Sequence, residues 1–140
     1  MTLKVKGHPL EVPQAGSGVA RFTFADLCDR PLGASDYLAL ARDFHTIIVD
    51  AIPAMTVERR NEAKRFITLI DALYEHRVKL LASAEAEAPD LYKAETGREA
   101  FEFDRTVSRL IEMRSEDYLS LSHGRADSAG SGDTTGLVET

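Results

Sequence analysis

Residues 46–84 read TIIVDAIPAMTVERRNEAKRFITLIDALYEHRVKLLASA. Thr46-Ile47-Ile48-Val49-Asp50 is a short β-branched run, the signature of a strand buried on both faces. Ile52-Pro53-Ala54-Met55 breaks it, and Thr56 is placed to cap a long helix. Along that helix Ala63, Phe66, Ile67, Ile70, Leu73 and Tyr74 recur at helical spacing, with Glu58, Arg59, Glu62 and Arg65 on the solvated side. Val78-Lys79-Leu80-Leu81-Ala82 then reads as a second buried strand ending at Ser83-Ala84. Strand, helix, strand is the pattern of a right-handed parallel crossover.

Upstream, Leu3 and Val5, then Leu10 and Val12, alternate with polar residues on either side of Gly7-His8-Pro9. A further break at 14–18 precedes Val19 to Phe24, so residues 3–24 read as a β-meander. Pro31 and Gly33 make 28–34 a loop, and Ser35 caps a helix carrying Tyr37, Leu40, Ala41 and Phe44. Downstream, Phe101 and Phe103 precede Asp104, a plausible cap. Val107, Leu110, Ile111 and Tyr118 supply the apolar side of a last helix over 104–121. From Gly124 the composition is mostly Gly, Ser, Thr and Asp, which predicts a disordered tail over 124–140. The fold expected is α/β: a short meander, an α-β-α-β core over 35–84 and a C-terminal helix, all within one module spanning 1–123.

The 140 residues suit a single domain, and 44% hydrophobic against 29% charged is an ordinary globular balance. Lys plus Arg number 17 against 23 for Asp plus Glu, a net charge of −6 that disfavours nucleic acid as a partner. The single cysteine, Cys28, forms no internal disulfide. No stretch approaches the roughly 20 apolar residues of a membrane span, and a cytoplasmic protein is expected.

Asp50 and Ser83 both end strands and are expected on one edge of the sheet, where open α/β sheets collect ligands. P-loop ATPases place a Mg²⁺-binding Asp and a phosphate-sensing polar residue in this way. Here Asp50 is followed by Ala51, so the adjacent carboxylate that AAA+ ATPases use to activate water is missing. Strand-ending Asp residues also commonly serve turns. No G-x-x-x-x-G-K-[ST] phosphate cradle is present; Gly16-Ser17-Gly18 reads as a hairpin connection. Cys28 and His45 form a nucleophile pair only if the fold joins them; a small buried thiol is the plainer reading. His8, His45, His76 and His123 lack the spacing of a zinc site. Arg105 and Arg109 project from one side of the last helix. They are candidates to reach a nucleotide, or a solvated face paired with Glu102, Asp104 and Glu112.

Several blocks together resemble the ZapE-like ATPases, the family of ATPase family gene one. They are Phe24-x-x-Leu27-Cys28, Pro31-Leu32-Gly33-Ala34-x-Asp36-Tyr37, and Arg65-Phe66-Ile67-x-Leu69-Ile70-Asp71-x-Leu73-Tyr74. Val78-Lys79-Leu80, Ser83-Ala84, Leu91-Tyr92 and Arg105-Thr106-x-Ser108-Arg109-Leu110-x-Glu112-Met113 continue the pattern. His8 and Lys64 stand where the family usually shows arginine. The resemblance implies the C-terminal portion of an AAA+-like enzyme that uses ATP and Mg²⁺, with an incomplete P-loop-type sheet. It implies cell division as the bacterial setting and the tubulin-like division protein as a partner. Walker A and Walker B precede this portion in the family, so no cofactor is expected on this chain alone. The expected partners are the missing P-loop half or a second copy. A non-catalytic binding module using an open sheet edge is the alternative. Strands lost from the sheet would leave Ile47 to Val49 partly uncovered and the isolated chain marginally soluble.

Overall fold

The computed structural model describes residues 1–5 and 7–124. Its centre is a four-stranded sheet in the order β3-β4-β5-β7, formed by β3 (Gln14–Gly16), β4 (Val19–Thr23), β5 (Thr46–Ile52) and β7 (Lys79–Ala84). β3 and β4 form an antiparallel hairpin, while β4, β5 and β7 run parallel. α2 (Ala34–Asp43) and the 16-residue α3 (Arg60–Glu75) make the crossovers into β5 and β7. The strand–helix–strand reading of 46–84 therefore holds.

Register explains which residues form the core. Partners across parallel strands share a face, so Ala20 lies beside Ile47 and Leu80, and Phe22 beside Val49 and Ala82. On this face Ala20, Phe22, Ile47 and Val49 are fully buried under Tyr37 and Leu40 of α2 and Phe66, Ile70 and Leu73 of α3. The opposite face carries Arg21, Thr46, Ile48, Asp50, Leu81 and Ser83, none of them buried. β5 is thus buried on one face only, a correction to the two-sided burial that its composition predicts. The continuous apolar run conceals an alternation: Ile47 and Val49 point in, and Thr46, Ile48 and Asp50 point out. Ile47 and Val49 are covered, contrary to expectation, because β4 and β7 flank them and helices cap them. The open position belongs to β7, where Leu81 is 55% exposed.

The expected meander divides between two sheets. β1 (Thr2–Val5) and β2 (His8–Glu11) pair as a separate hairpin whose Leu3 and Leu10 face the core. Gln14–Gly16 is strand, not a break, and the turn is only Ser17-Gly18. Gly18 has φ +80, and a Cβ there would lie 2.4 Å from the His45 ring, so glycine is required. The expected loop at 28–34 is shortened by α1 (Phe24–Cys28), whose Thr23–Asp26 capping box outweighs the low helical signal of five residues. α2 starts one residue before Ser35. Its N-terminus is satisfied by Asp36, whose carboxylate accepts the Gly33 N–H at 2.8 Å.

α3 begins at Arg60, after a 3-10 turn at Val57–Arg59, rather than at a Thr56 cap. Thr56 instead ends β6 (Met55–Thr56), which pairs in parallel with β8 (Tyr92–Lys93). The expected helix 104–121 is two helices, α4 (Arg98–Glu112) and α5 (Glu116–Leu119), with Ser115 capping the second. Asp104 lies inside α4. Phe103 is buried and Phe101 is 81% exposed, so the two aromatics are helix residues on different sides. Gly124, where the disordered tail was expected to start, donates its N–H to the His76 carbonyl at 2.8 Å; residues 125–140 lie outside the described residues. Among the described residues no helix is long and apolar enough to cross a membrane.

Candidate functional site

The carboxyl edge of the sheet brings Asp50 and Ser83 together as expected, and each is already engaged. The Asp50 carboxylate accepts two hydrogen bonds from Arg21, at 2.7 and 3.2 Å, across the open face. This is a cross-strand pair, not the turn contact that a strand-ending Asp suggests; Thr23 stands opposite Asp50 in the sheet, and Arg21, two residues before Thr23, shares its face. Ser83 Oγ accepts the Ala51 N–H at 2.8 Å, holding a bulge in β5 at which Ala51 adopts φ +63. A left-handed alanine is strained. Ala51→Gly is expected to raise stability by about 0.5–1 kcal/mol in urea denaturation, the relief of strain outweighing the extra chain entropy. A loss of stability would show that the bulge is not strained.

The turn at the carboxyl end of β4 is closed by its own side chains. The strand-to-helix turn where a phosphate cradle would stand is Thr23-Phe24-Ala25-Asp26. Its amides at Thr23 and Asp26 are taken by the capping box, and Asp26 adds negative charge. Among the described residues no group of three His, Cys, Asp or Glu side chains is arranged to hold a metal ion.

Cys28 and His45 are not brought together. The His45 ring donates Nε2–H to the Ser17 carbonyl at 3.0 Å and meets Thr46 through Nδ1 at 2.8 Å. Cys28 is buried beside Tyr37, and Arg65 donates to its carbonyl at 3.0 Å. Arg65, read from periodicity as solvated, thus fastens α3 to α1.

Arg105 and Arg109 do project from one side of α4, and both meet Asp71 of α3 rather than Glu102, Asp104 or Glu112. Arg105 reaches it at 3.1 Å with its side chain 53% exposed. Arg109 pairs with the other carboxylate oxygen, is 22% exposed, and lies over the Tyr74 ring at 4.8 Å. Tyr74 donates to Glu112 at 2.8 Å and stacks on Tyr118 at 5.8 Å. Sequence reading missed Asp71. The available signal was its position as an acid within the otherwise apolar run Leu69-Ile70-x-Ala72-Leu73.

Two further buried carboxylates were not foreseen. Asp36 contacts His8 at 2.5 Å, tying the first hairpin to α2. Glu99 receives Arg60 at 2.8 Å and the more distant Tyr92 hydroxyl at 3.4 Å. Backbone N–H at the start of α4, aided by Arg60, holds the Glu99 carboxyl below the ordinary value.

Comparisons with known proteins agree with the sequence blocks. The AFG1-like ATPase family matches residues 1–122. The cell division protein ZapE of Escherichia coli K12 is 40% identical over 122 residues, covering 87% of this chain and 32% of the relative. Lactation elevated protein 1 homolog B of Danio rerio is 34% identical, covering 83% of this chain and 29% of the relative. The chain therefore spans about a third of the length of these relatives. No solved structure matches it. The family match over residues 1–122 of the 140 makes the chain a member of the AFG1-like ATPase family.

Proposed function

We propose that the chain is the C-terminal portion of an ATP-hydrolysing protein acting in bacterial cell division, inactive alone. ATP and Mg²⁺ would be held by a P-loop polypeptide supplying the rest of the enzyme, and the four-stranded sheet would be part of a larger P-loop-type sheet. The observation that supports this reading is the match to only a third of the length of its relatives, by a chain whose β4–α1 turn uses its Thr23 and Asp26 amides in a capping box. The setting proposed is the cytoplasm, with the tubulin-like division protein as the partner of the assembled enzyme. Among the described residues β7 is paired on one side only, which favours a second reading, a binding module without catalysis.

Within the first reading the two arginines divide. Arg109, gripped by Asp71 and stacked on Tyr74, is a framework residue. Arg105, with one contact and an exposed side chain, is the one free to turn toward a nucleotide. The test is reconstitution with the N-terminal two thirds of the E. coli relative, following phosphate release. Hydrolysis is expected only with both polypeptides present, and Arg105→Ala is expected to slow turnover at least tenfold with ATP affinity little changed. Silence in the mixture, with both chains folded and associated, overturns the ATPase reading and leaves the binding module.

A further inference from the structure

We propose that two copies of the chain associate by pairing their β7 edges antiparallel about Ala82. Among the described residues β7 pairs with β5 on one side only. Unpaired edges are usually blunted by proline, by inward charge or by a covering element. Between Lys79 and Glu85 this edge reads Leu80-Leu81-Ala82-Ser83-Ala84, with no charge and no proline, and its last four residues are exposed. Beside it runs a cleft of about 740 Å³, floored by Leu80, Ala82 and Ala84 of β7 and walled by Leu110 of α4 and by Met113, which follows that helix. Edge and cleft together form a seat for an added strand, apolar along β7 and flanked by Glu85, Glu87 and Arg114.

Charge order selects the occupant. Lys79 begins the strand and Glu85 follows it, so an antiparallel self-pair centred on Ala82 sets Lys79 opposite Glu85 twice. In the same register Leu80 faces Ala84 above the cleft, and Leu81 faces Ser83 on the open side. A parallel self-pair would set Lys79 beside Lys79 and Glu85 beside Glu85. Lys79 donates to the Tyr118 and Leu121 carbonyls at 3.1 and 2.8 Å, and Glu85 accepts the Ala54 N–H at 2.9 Å, so each charge is held at its own end of the edge by its own chain and the pairing acts between fixed charges. The antiparallel arrangement has two-fold symmetry and closes on itself. It would join the two four-stranded sheets into one and bring each α4 toward the two-fold axis.

The test is sedimentation equilibrium of the full chain over about 1–100 µM, a range in which a micromolar dimer changes mass. The wild type is expected to approach twice the monomer mass. Ala82→Lys places two ammonium groups against each other at the axis and is expected to weaken the dimer at least tenfold, with an unchanged thermal melt. Ala82→Glu should do the same. An equimolar mixture of the two variants should recover the dimer, which general damage to β7 would not allow. A wild type that stays monomeric, a dimer indifferent to Ala82→Lys, or a mixture that fails to recover each overturns the proposal. If the wild type is monomeric and Ala82→Lys instead blocks reconstitution with the P-loop polypeptide, the edge belongs to that chain. The sedimentation measurement involves no nucleotide, so its failure leaves the ATPase reading standing.

Discussion

Phe66→Ala is expected to lower the free energy of unfolding by about 3–5 kcal/mol in urea titration. Phe66 is fully buried on α3, its ring 6.0 Å from Phe24 of α1 and 6.0 Å from Phe103 of α4. Among the described residues it is the one side chain in aromatic contact with both α1 and α4, so its removal opens a cavity that no single helix can close by shifting. Against the 5–15 kcal/mol typical of a domain, the loss is about a fifth or more of the total. Phe66→Leu refills most of the volume and should restore much of the loss. Phe101→Ala is the matched control on the exposed side of α4 and should change stability by no more than about 0.5 kcal/mol. Equal losses at 66 and 101 would mean that α4 packs on α3 through a different face.

That Phe66 would be a core residue is legible from the sequence, because long helices impose a strict period. The stripe from Ala63 to Leu73 names the buried face of α3, and the two β-branched or leucine-rich runs name the strands beside it. Short elements are less legible. α1 consists of five residues fixed by one capping box, and a Thr-x-x-Asp pattern occurs in many loops. The strand at 14–16 is written in Gln, Ala and Gly, whose weak strand preference is overridden by pairing with β4. The two-sided burial expected of β5 failed for a related reason. Ile48 is as apolar as Ile47, and only the number of layers packed on the sheet decides whether it is covered. Composition cannot report a layer that other residues would have to supply.

The candidate site was legible in position and not in connection. Asp50 and Ser83 were placed on one edge by topology alone, and Arg105 and Arg109 on one helix side by spacing alone. Their partners Arg21, Ala51 and Asp71 lie 20 or more residues away in sequence, and a single chain offers no local signal for such pairs. Cys28 and His45 failed as a pair because each satisfies its own neighbourhood. The thiol is enclosed by α1, α2 and α3, while the imidazole caps the β3–β4 turn.

The enclosure of Cys28 has an energetic consequence at alkaline pH. Burial disfavours the thiolate and outweighs the attraction of Arg65, so the thiol is pushed from 9.0 up to about 12. The unfolded chain releases this proton near 9 and the folded chain keeps it until about 12. Between those values the native state holds more protons, and the free energy of unfolding falls as pH rises. The stabilisation is complete below pH 9 and declines by about 1.4 kcal/mol for each pH unit above it. Tyr37 and Tyr118 are raised by burial as well and add their own decline above pH 10. The clean comparison is therefore wild type against Cys28→Ala between pH 8 and 10, where the wild type should lose about 1.4 kcal/mol more. Thiol reagents report the same enclosure as a rate. At pH 8 the native chain should react with a disulfide reagent on the order of 10³-fold more slowly than the chain in denaturant, because so little thiolate is present. A native rate close to that of the denatured chain would place Cys28 at the surface and undo the packing of α1 against α2 and α3.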